Sequence, residues 1–459
     1  MSSAGISFGG LGSGLDTRSI ISALMAVERR PISALNAKKS SLNTSKNLFG
    51  DFKKLLTDLD TKAKALRTTT DFLEMKASSS DEDVLAVRAG STATPGSYQI
   101  KVMALASSQV SVSNGRAAKD DPVFGDGTFF LNVNGTDHPI DIGAGTNYAS
   151  TLDGIAQAIR DKGLDVTAEV VDTGQSGAQR YQLALRSTVV GSEGAFSLSL
   201  DSGNASLSTL VNEVNANVRA PGQDAHLLYN GVDVYRSSNS VGDLIPGVTL
   251  DLKATDLVNP VTVTITTDAE ETSKKVKEFV DTYNKVVDFI GTQNQLGEDG
   301  AAKNPLFGDG TLRSIRSSLR TIVGSSVDTG NTAISMLAIA GIASDREGKL
   351  TFNQSKFEEK LGEDEQAVAS LFSATNVGIA SRLTSQIEAY TSSVDGLIKT
   401  RQDGFDRMIK DAQRRIDQGE ARLVRFEQNL EQRFANLETQ IARLQGQGSA
   451  LQGFPAARR

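Results

Sequence analysis

The chain contains no cysteine and no tryptophan in 459 residues, and it has two histidines. Without cysteine there is neither a disulfide nor a thiolate metal site. The histidines, His138 and His226, each stand alone in a β-rich stretch, so the sequence carries no spaced-histidine metal motif. Aromatics make up 5% of residues, too few for a stacking platform for bases or sugars. The formal net charge is -7, with a pI near 5.2, so nothing draws the whole chain toward nucleic acid. No apolar run approaches the roughly 18 residues needed to cross a bilayer, so no membrane insertion is expected. Residues Met1 to Asp16 lack a basic stretch followed by an apolar block, and do not read as a cleavable signal peptide. Nothing in the sequence calls for a cofactor, a metal or a catalytic residue.

What is there is two long seams. Near the C-terminus the apolar positions are Phe405, Ile409, Ala412, Ile416, Gly419, Leu423, Phe426 and Leu430, then Phe434, Leu437, Ile441 and Leu444. Steps of four and three alternate, with a four-residue insertion after Leu430. A 3.5-residue period keeps one narrow stripe facing a partner helix, and the insertion locally relaxes the supercoil. The flanking charges are of mixed sign, as on a solvated helix face. Such a rod is about 70 Å long and needs a partner. Gly419 in the seam predicts a bend or a close approach. Near the N-terminus Leu35, Lys38, Leu42, Ser45, Phe49, Phe52, Leu56, Leu59, Ala63 and Leu66 keep the same rhythm. A short amphipathic helix over Thr17–Glu28 precedes it, and Pro31 predicts a break between the two. The two seams suggest one stalk made from both chain ends; the alternative is that each packs into its own core.

Four closely spaced glycines, Gly9, Gly10, Gly12 and Gly14, match no phosphate-binding pattern, and a flexible terminus with a helix cap at Asp16 fits better. After Ser78–Asp83 the period changes to two. Pro95-Gly96 turns into Tyr98, Ile100 and Val102. Pro122–Leu200 reads as a compact α+β unit. Its Asn134-Gly135 marks a hairpin, Ser150 is the expected cap of a helix over Leu152–Ile159, and strands follow to Leu200. Further hairpins are expected at Asn230-Gly231 and Ile245-Pro246-Gly247, and helices resume at Thr272. Phe-Gly-Asp-Gly-Thr occurs twice, from Phe124 and from Phe307, as ordinary turn chemistry. The expected class is therefore multidomain α+β: a terminal α-helical coiled-coil stalk, a helical leg domain and two inserted β-rich head domains. The expected boundaries are 1–77 with 272–459 for stalk and leg, 78–113 with 221–271 for a discontinuous β-rich domain, and 114–220 for the α+β insert.

Several strings, in their order, carry a resemblance. They are Gly12-Ser13-Gly14-Leu15-Asp16, Ile20-Ile21-Ser22-Ala23-Leu24-Met25 and then Pro31, Pro95-Gly96-Ser97-Tyr98-Gln99-Ile100-Lys101-Val102, Ile245-Pro246-Gly247-Val248-Thr249-Leu250, Phe279-Val280-Asp281 with Tyr283-Asn284, and Gly341-Ile342 with Gly348-Lys349-Leu350. With the Phe405–Leu444 rod they span nearly the whole chain, which resembles the flagellar hook-associated protein 2 family of filament caps. The resemblance implies a structural protein without cofactor or covalent step. It implies export through the flagellar type III channel without a cleavable signal, and an extracellular place at the filament tip. The implied partners are further copies in a homo-oligomeric ring, flagellin, hook–filament junction proteins and a flagellar export chaperone. The seam residues would be the legs' contacts. Other axial flagellar proteins share paired terminal helices, and a glycan-binding head would make the chain an adhesin; these are the competing classes.

Overall fold

The computed structural model describes residues 16–298, 300–330 and 332–452. It divides into two units, Leu73–Thr272 and the residues on either side of that span. The expected glycine-rich terminus, apart from Asp16, lies outside the described residues.

The first helix, α1, covers Thr17–Lys64. Asp16 caps it by accepting a hydrogen bond from the Ser19 backbone N–H at 3.0 Å. Leu66, just beyond its end, is fully buried. A single turn, α2 (Thr69–Phe72), follows.

Leu73–Thr272 holds fifteen strands, two complete α-helices and two single 3-10 turns among the described residues. In chain order these are β1 (Met75–Ser79), β2 (Leu85–Ala89), β3 (Gly96–Ala104), β4 (Val110–Val112), β5 (Gly127–Val133) and β6 (Thr136–Ile142). Then come α3 (Leu152–Asp161), β7 (Val166–Asp172), β8 (Tyr181–Ser187), β9 (Phe196–Ser202), α4 (Ala205–Ala216) and β10 (Val218–Ala220). The last five are β11 (Ala225–Tyr229), β12 (Val232–Arg236), β13 (Ser240–Ile245), β14 (Val248–Leu252) and β15 (Val261–Thr267). Two separate cores result. One lies between the sheet β1-β15-β3-β11-β12 and the sheet β13-β14-β2, with Leu85, Ile100, Leu227, Leu250 and Val263 fully buried. The other is enclosed by β10-β4-β8-β7, β6-β5-β9, α3 and α4, around Leu131, Ile159, Leu183 and Leu207.

Turn chemistry sets these sheets. Asn134 and Gly135 have φ of 51° and 76°, and Asn230 and Gly231 have 48° and 86°. Both pairs are thus left-handed at both central positions, as two-residue hairpins require. Three details differ from expectation. Thr151, not Ser150, caps α3, accepting from the Gly154 N–H at 3.0 Å. Ser78 and Ser79, placed at a boundary by composition, lie in β1, whose ladder to β15 runs from Met75↔Thr267 to Ser79↔Val263. Helix α4 was not expected. Its signal was present in Asn204, which caps it, and in Leu207, Leu210, Val211 and Val214, which are its buried stripe.

The chain then returns to helix with α5 (Ala269–Gln293), α6 (Gly310–Val323), a short ladder of β16 (Ile342–Ser344) with β17 (Leu350–Phe352), α7 (Gln354–Glu363), α8 (Glu365–Ser373), α9 (Ile379–Thr391) and α10 (Leu397–Gln452). Phenylalanines hold this bundle: Phe52 of α1 stacks on Phe289 at 5.2 Å, and Phe72 stacks on Phe372 at 5.1 Å. Helix α10 has 56 residues, about 84 Å.

Gly247, at φ +73°, makes the β13–β14 turn, and a Cβ there would meet Thr92 Oγ1 at 2.5 Å and the Ala93 nitrogen at 2.6 Å. We expect Gly247→Ala to destabilise the Leu73–Thr272 unit by about 2 kcal/mol, through left-handed strain and backbone crowding. Thermal unfolding of the variant against the parent measures this; an unchanged midpoint would refute it.

Candidate interaction surface

The sequence-predicted site is the pair of seams, and the structure places them against each other along part of their length. Helices α1 and α10 run antiparallel. Phe49 meets Phe405 with ring centroids 5.8 Å apart. Lys46 donates to Asp406 at 2.6 Å, and Lys39 donates to Gln413. Ile32 then lies over Gly419, and further along Arg29 faces Glu420 at 4.0 Å and Arg422 faces Glu28 at 3.8 Å. A small apolar cluster of Ile32, Ile416 and Leu423, with Met25 and Leu35 against it, closes this outer part.

Gly419 supplies the close approach. A Cβ built on it would sit 2.9 Å from Ile32 Cγ1 and 3.1 Å from Cδ1. The space that a side chain would occupy is filled by Ile32 from the facing helix. This contact also bears on Pro31. A break was expected there, yet α1 runs through it without interruption. An internal proline removes one backbone bond and crowds the preceding turn, at a cost of about 3 kcal/mol. Here Met25 before the proline and Ile32 and Leu35 after it share one apolar cluster with Ile416 and Leu423 of α10, so both sides are held on one axis.

The other predicted residues divide into three groups. Phe52, Leu56, Leu59 and Leu66 are fully buried, but they belong to the bundle rather than to a seam with α10. In that stretch Lys62 pairs with Glu278 of α5 at 2.6 Å and Lys64 with Glu388 of α9 at 3.2 Å. Phe405, Ile416, Leu423 and Leu430 are buried, while Leu35, Leu42, Ile409 and Phe426 are half-buried along the α1–α10 pair. Beyond Leu430, Phe434 and Ile441 are half-buried like Phe426, whereas Leu437 is 42% exposed and Leu444 66%. The described part of α1 begins at Thr17, whereas α10 continues to Gln452. A second row, Ile20, Leu24 and Val27, is exposed on α1 at helical spacing.

The inner end of α10 is fastened by Arg401. Its guanidinium lies 4.9 Å over the Phe405 ring and donates to Asp309 at 2.7 Å. Asp309 is buried and also caps α6, accepting from the Thr311 and Leu312 N–H groups. The two Phe-Gly-Asp-Gly-Thr copies thus do different work, since Asp126 in the first accepts from the Ala144 N–H at 2.7 Å. Arg414 and Arg415 hydrogen-bond and attract the Asp411 carboxyl, holding it below the usual carboxylate range; Lys399 does the same to Asp403. These pairs are exposed and local to α10, so they add little to the seam. His226 bonds Asp233 at 2.6 Å and stacks on Tyr235. Among the described residues no group of acidic or histidine side chains is arranged to hold a metal, and no helix is long and apolar enough to cross a membrane.

Comparison with known proteins bears directly on this pair. The N-terminal description of flagellar hook-associated protein 2 matches residues 13–109, and the C-terminal description matches residues 222–446. The chain belongs to the flagellar hook-associated protein 2 family. It is 28% identical over 450 residues to the A-type flagellar hook-associated protein 2 of Pseudomonas aeruginosa, covering 91% of each chain. It is likewise 28% identical over 448 residues to the flagellar hook-associated protein 2 of Escherichia coli K12, covering 92% of this chain and 93% of that one. The crystal structure of the D1-D2-D3 domains of the flagellar cap protein FliD from Escherichia coli superposes with a TM-score of 0.64 at 26% identity, over 78% of this chain and 99% of that one. In this member of the family, α1 and α10 lie at the two ends of the matched span, and the central residues 110–221 fall between the two descriptions.

The Gly419–Ile32 contact can be separated from helix propensity by a double-mutant cycle. Gly419→Ala alone is expected to destabilise, because the new methyl meets Ile32. In an Ile32→Ala background the same change is expected to stabilise by about 1 kcal/mol, the usual Gly-to-Ala gain in a helix. Denaturant unfolding of the four proteins reads the coupling; additive effects would refute the contact.

Proposed function

We propose that this chain works as a structural, non-enzymatic cap at the tip of a bacterial flagellar filament, as an oligomer of identical copies. It would receive exported flagellin and promote its folding and insertion. The observation that carries this reading is the exposed pair Leu437 and Leu444 on α10, in line with the half-buried Phe434 and Ile441. A helix with such a stripe gains stability by docking on another apolar helix, and docking on like helices is reversible when the buried area is modest. Terminal helices of neighbouring copies, of flagellin and of hook–filament junction proteins are the partners we propose. Export through the flagellar channel, with a dedicated chaperone, and an extracellular destination belong to the same reading. The family membership and the match to a flagellar cap protein support it.

The test separates folding from docking. Leu437→Asp with Leu444→Asp places charges where the stripe is exposed, so the purified variant should unfold within about 1 kcal/mol of the parent. In cells lacking the native gene, it should fail to restore motility, and flagellin should collect in the medium. Immunolabelling of the parent protein should mark filament tips alone. Full motility of the double variant, or labelling along the filament, would overturn the reading.

A further inference from the structure

The charges beside the α10 stripe are sorted by sign. Of the residues one position before a stripe residue, Arg415, Arg422, Arg425, Arg433 and Arg443 are basic, and Asp411 alone is acidic. Of those one position after, Asp406, Asp417, Glu420, Glu427, Glu431 and Glu438 are acidic, and Lys410 alone is basic. At 3.6 residues per turn, one step back and one step forward from the stripe fall on opposite sides of it. Helix α10 therefore has a basic side and an acidic side, with α1 seated between them on the inner part of the stripe.

Helix α1 takes up little of this charge. Lys46 holds Asp406 at 2.6 Å, but Arg29 reaches Glu420 at 4.0 Å and Glu28 reaches Arg422 at 3.8 Å. Glu427, Glu431 and Arg433 are exposed, and among the described residues none has an opposite charge within ion-pair distance. On the basic side a cleft of about 270 Å³ opens between the helices, with Leu35, Lys38, Arg407, Met408 and Arg415 in its wall. Its one carboxylate, Asp411, is held by Arg414 and Arg415. Lys38 and Arg407 have no carboxylate within ion-pair distance among the described residues, so the cleft keeps a net positive charge. On the acidic side the exposed apolar residue is Val424.

A helix with opposite charge on its two sides is complementary to its own copy. An isologous contact would set arginine against arginine or glutamate against glutamate, whereas a head-to-tail contact sets basic against acidic. Flanking charges of this kind select partner and orientation in coiled coils. Arg415 and Arg422 precede Glu420 and Glu427 by five residues each, the offset at which flanking positions meet between parallel helices. We propose that α10 docks head-to-tail on α10 of a second copy, the basic side and cleft of one receiving the acidic side of the next, with the two helices parallel. Each copy then keeps one side free for a further copy, and the repeated contact closes into a ring where its rotation allows. The contact rests on the reading of the chain as an oligomer of identical copies, and it adds which two surfaces meet.

Sedimentation of the full chain tests the charge pairing. Arg422→Glu with Arg433→Glu reverses the basic side, and Glu427→Arg with Glu431→Arg reverses the acidic side; all four residues are exposed, so both variants should unfold as the parent does. Each should weaken self-association about a hundredfold, and mixing the two should restore it. Orientation is read by cross-linking. The chain has no cysteine, so Arg415→Cys and Glu420→Cys place single thiols on the two sides. A short bismaleimide should join one of these variants to the other in a mixture, and neither to itself. A monomeric parent, self-association unchanged in either charge variant, a mixture that fails to recover, or thiol variants that join to themselves or not at all would each overturn the contact. The cap reading falls by a different result, absence of the chain from filament tips, so the two failures are told apart.

Discussion

The helical unit depends on the antiparallel contact of α1 with α10, two segments from opposite ends of the chain. That contact has two regimes. From Phe49 inward, α1 is one helix of a bundle, and Phe52, Leu56 and Leu59 are shielded on all sides. From Ser45 outward, the contacts described for α1 are with α10, and the cluster around Ile32, Ile416 and Leu423 is small. Each fully buried large side chain contributes roughly 1.5–3 kcal/mol, so the inner part holds far more stability than the outer. The ion pairs of the outer part are exposed and cannot make up the difference. A gradient follows, in which the outer stretch opens more readily than the bundle beneath it.

Arg401 marks the point where the regimes meet. It joins α10 to the cap of α6 through Asp309 and covers the Phe405 ring, which in turn meets Phe49. The carboxylate is buried and the guanidinium only partly so, and the pair also satisfies a helix start. Removing either partner would leave a buried charge or an uncapped helix, a larger loss than that of any surface pair. The inner end of α10 is thereby fixed in position, and the outer stretch starts from a rigid base.

Much of this was legible in the sequence, because the signals were periodic or local. The seam from Phe405 to Leu430, the left-handed hairpin pairs at Asn134-Gly135 and Asn230-Gly231, and the Asp16 cap each depend on a few adjacent residues. What was not legible depends on partners distant in the chain. Pro31 argued for a break from its own chemistry alone, and the apolar contacts that keep α1 whole come from Ile416, Gly419 and Leu423. The serines of β1 look like linker residues until their pairing with β15 is known. Phe52 and Leu56 follow the same rhythm as Phe49, yet face the bundle, because a seam states that a stripe is buried without saying against what. Helix α4 was open to inspection through Asn204 and its leucines, and was passed over in a stretch rich in serine and asparagine.

The insertion after Leu430 gains a meaning from this division. Up to Leu430 the stripe on α10 is buried or half-buried among the described residues, whereas beyond it Leu437 and Leu444 are exposed. Leu423 and Phe434 are separated by eleven residues, the spacing of a right-handed repeat, whereas the preceding stretch keeps the seven-residue spacing that winds left. Each seven-residue step drifts the stripe about 20° one way around a straight helix, and the eleven-residue step drifts it about 20° the other way. The eleven-residue step therefore returns Phe434 and Ile441 to the side of α10 that carries Leu423 and Leu430, and the stripe keeps one face along its length. The sequence therefore encodes one continuous apolar stripe on α10, packed against α1 over its inner part and exposed at Leu437 and Leu444.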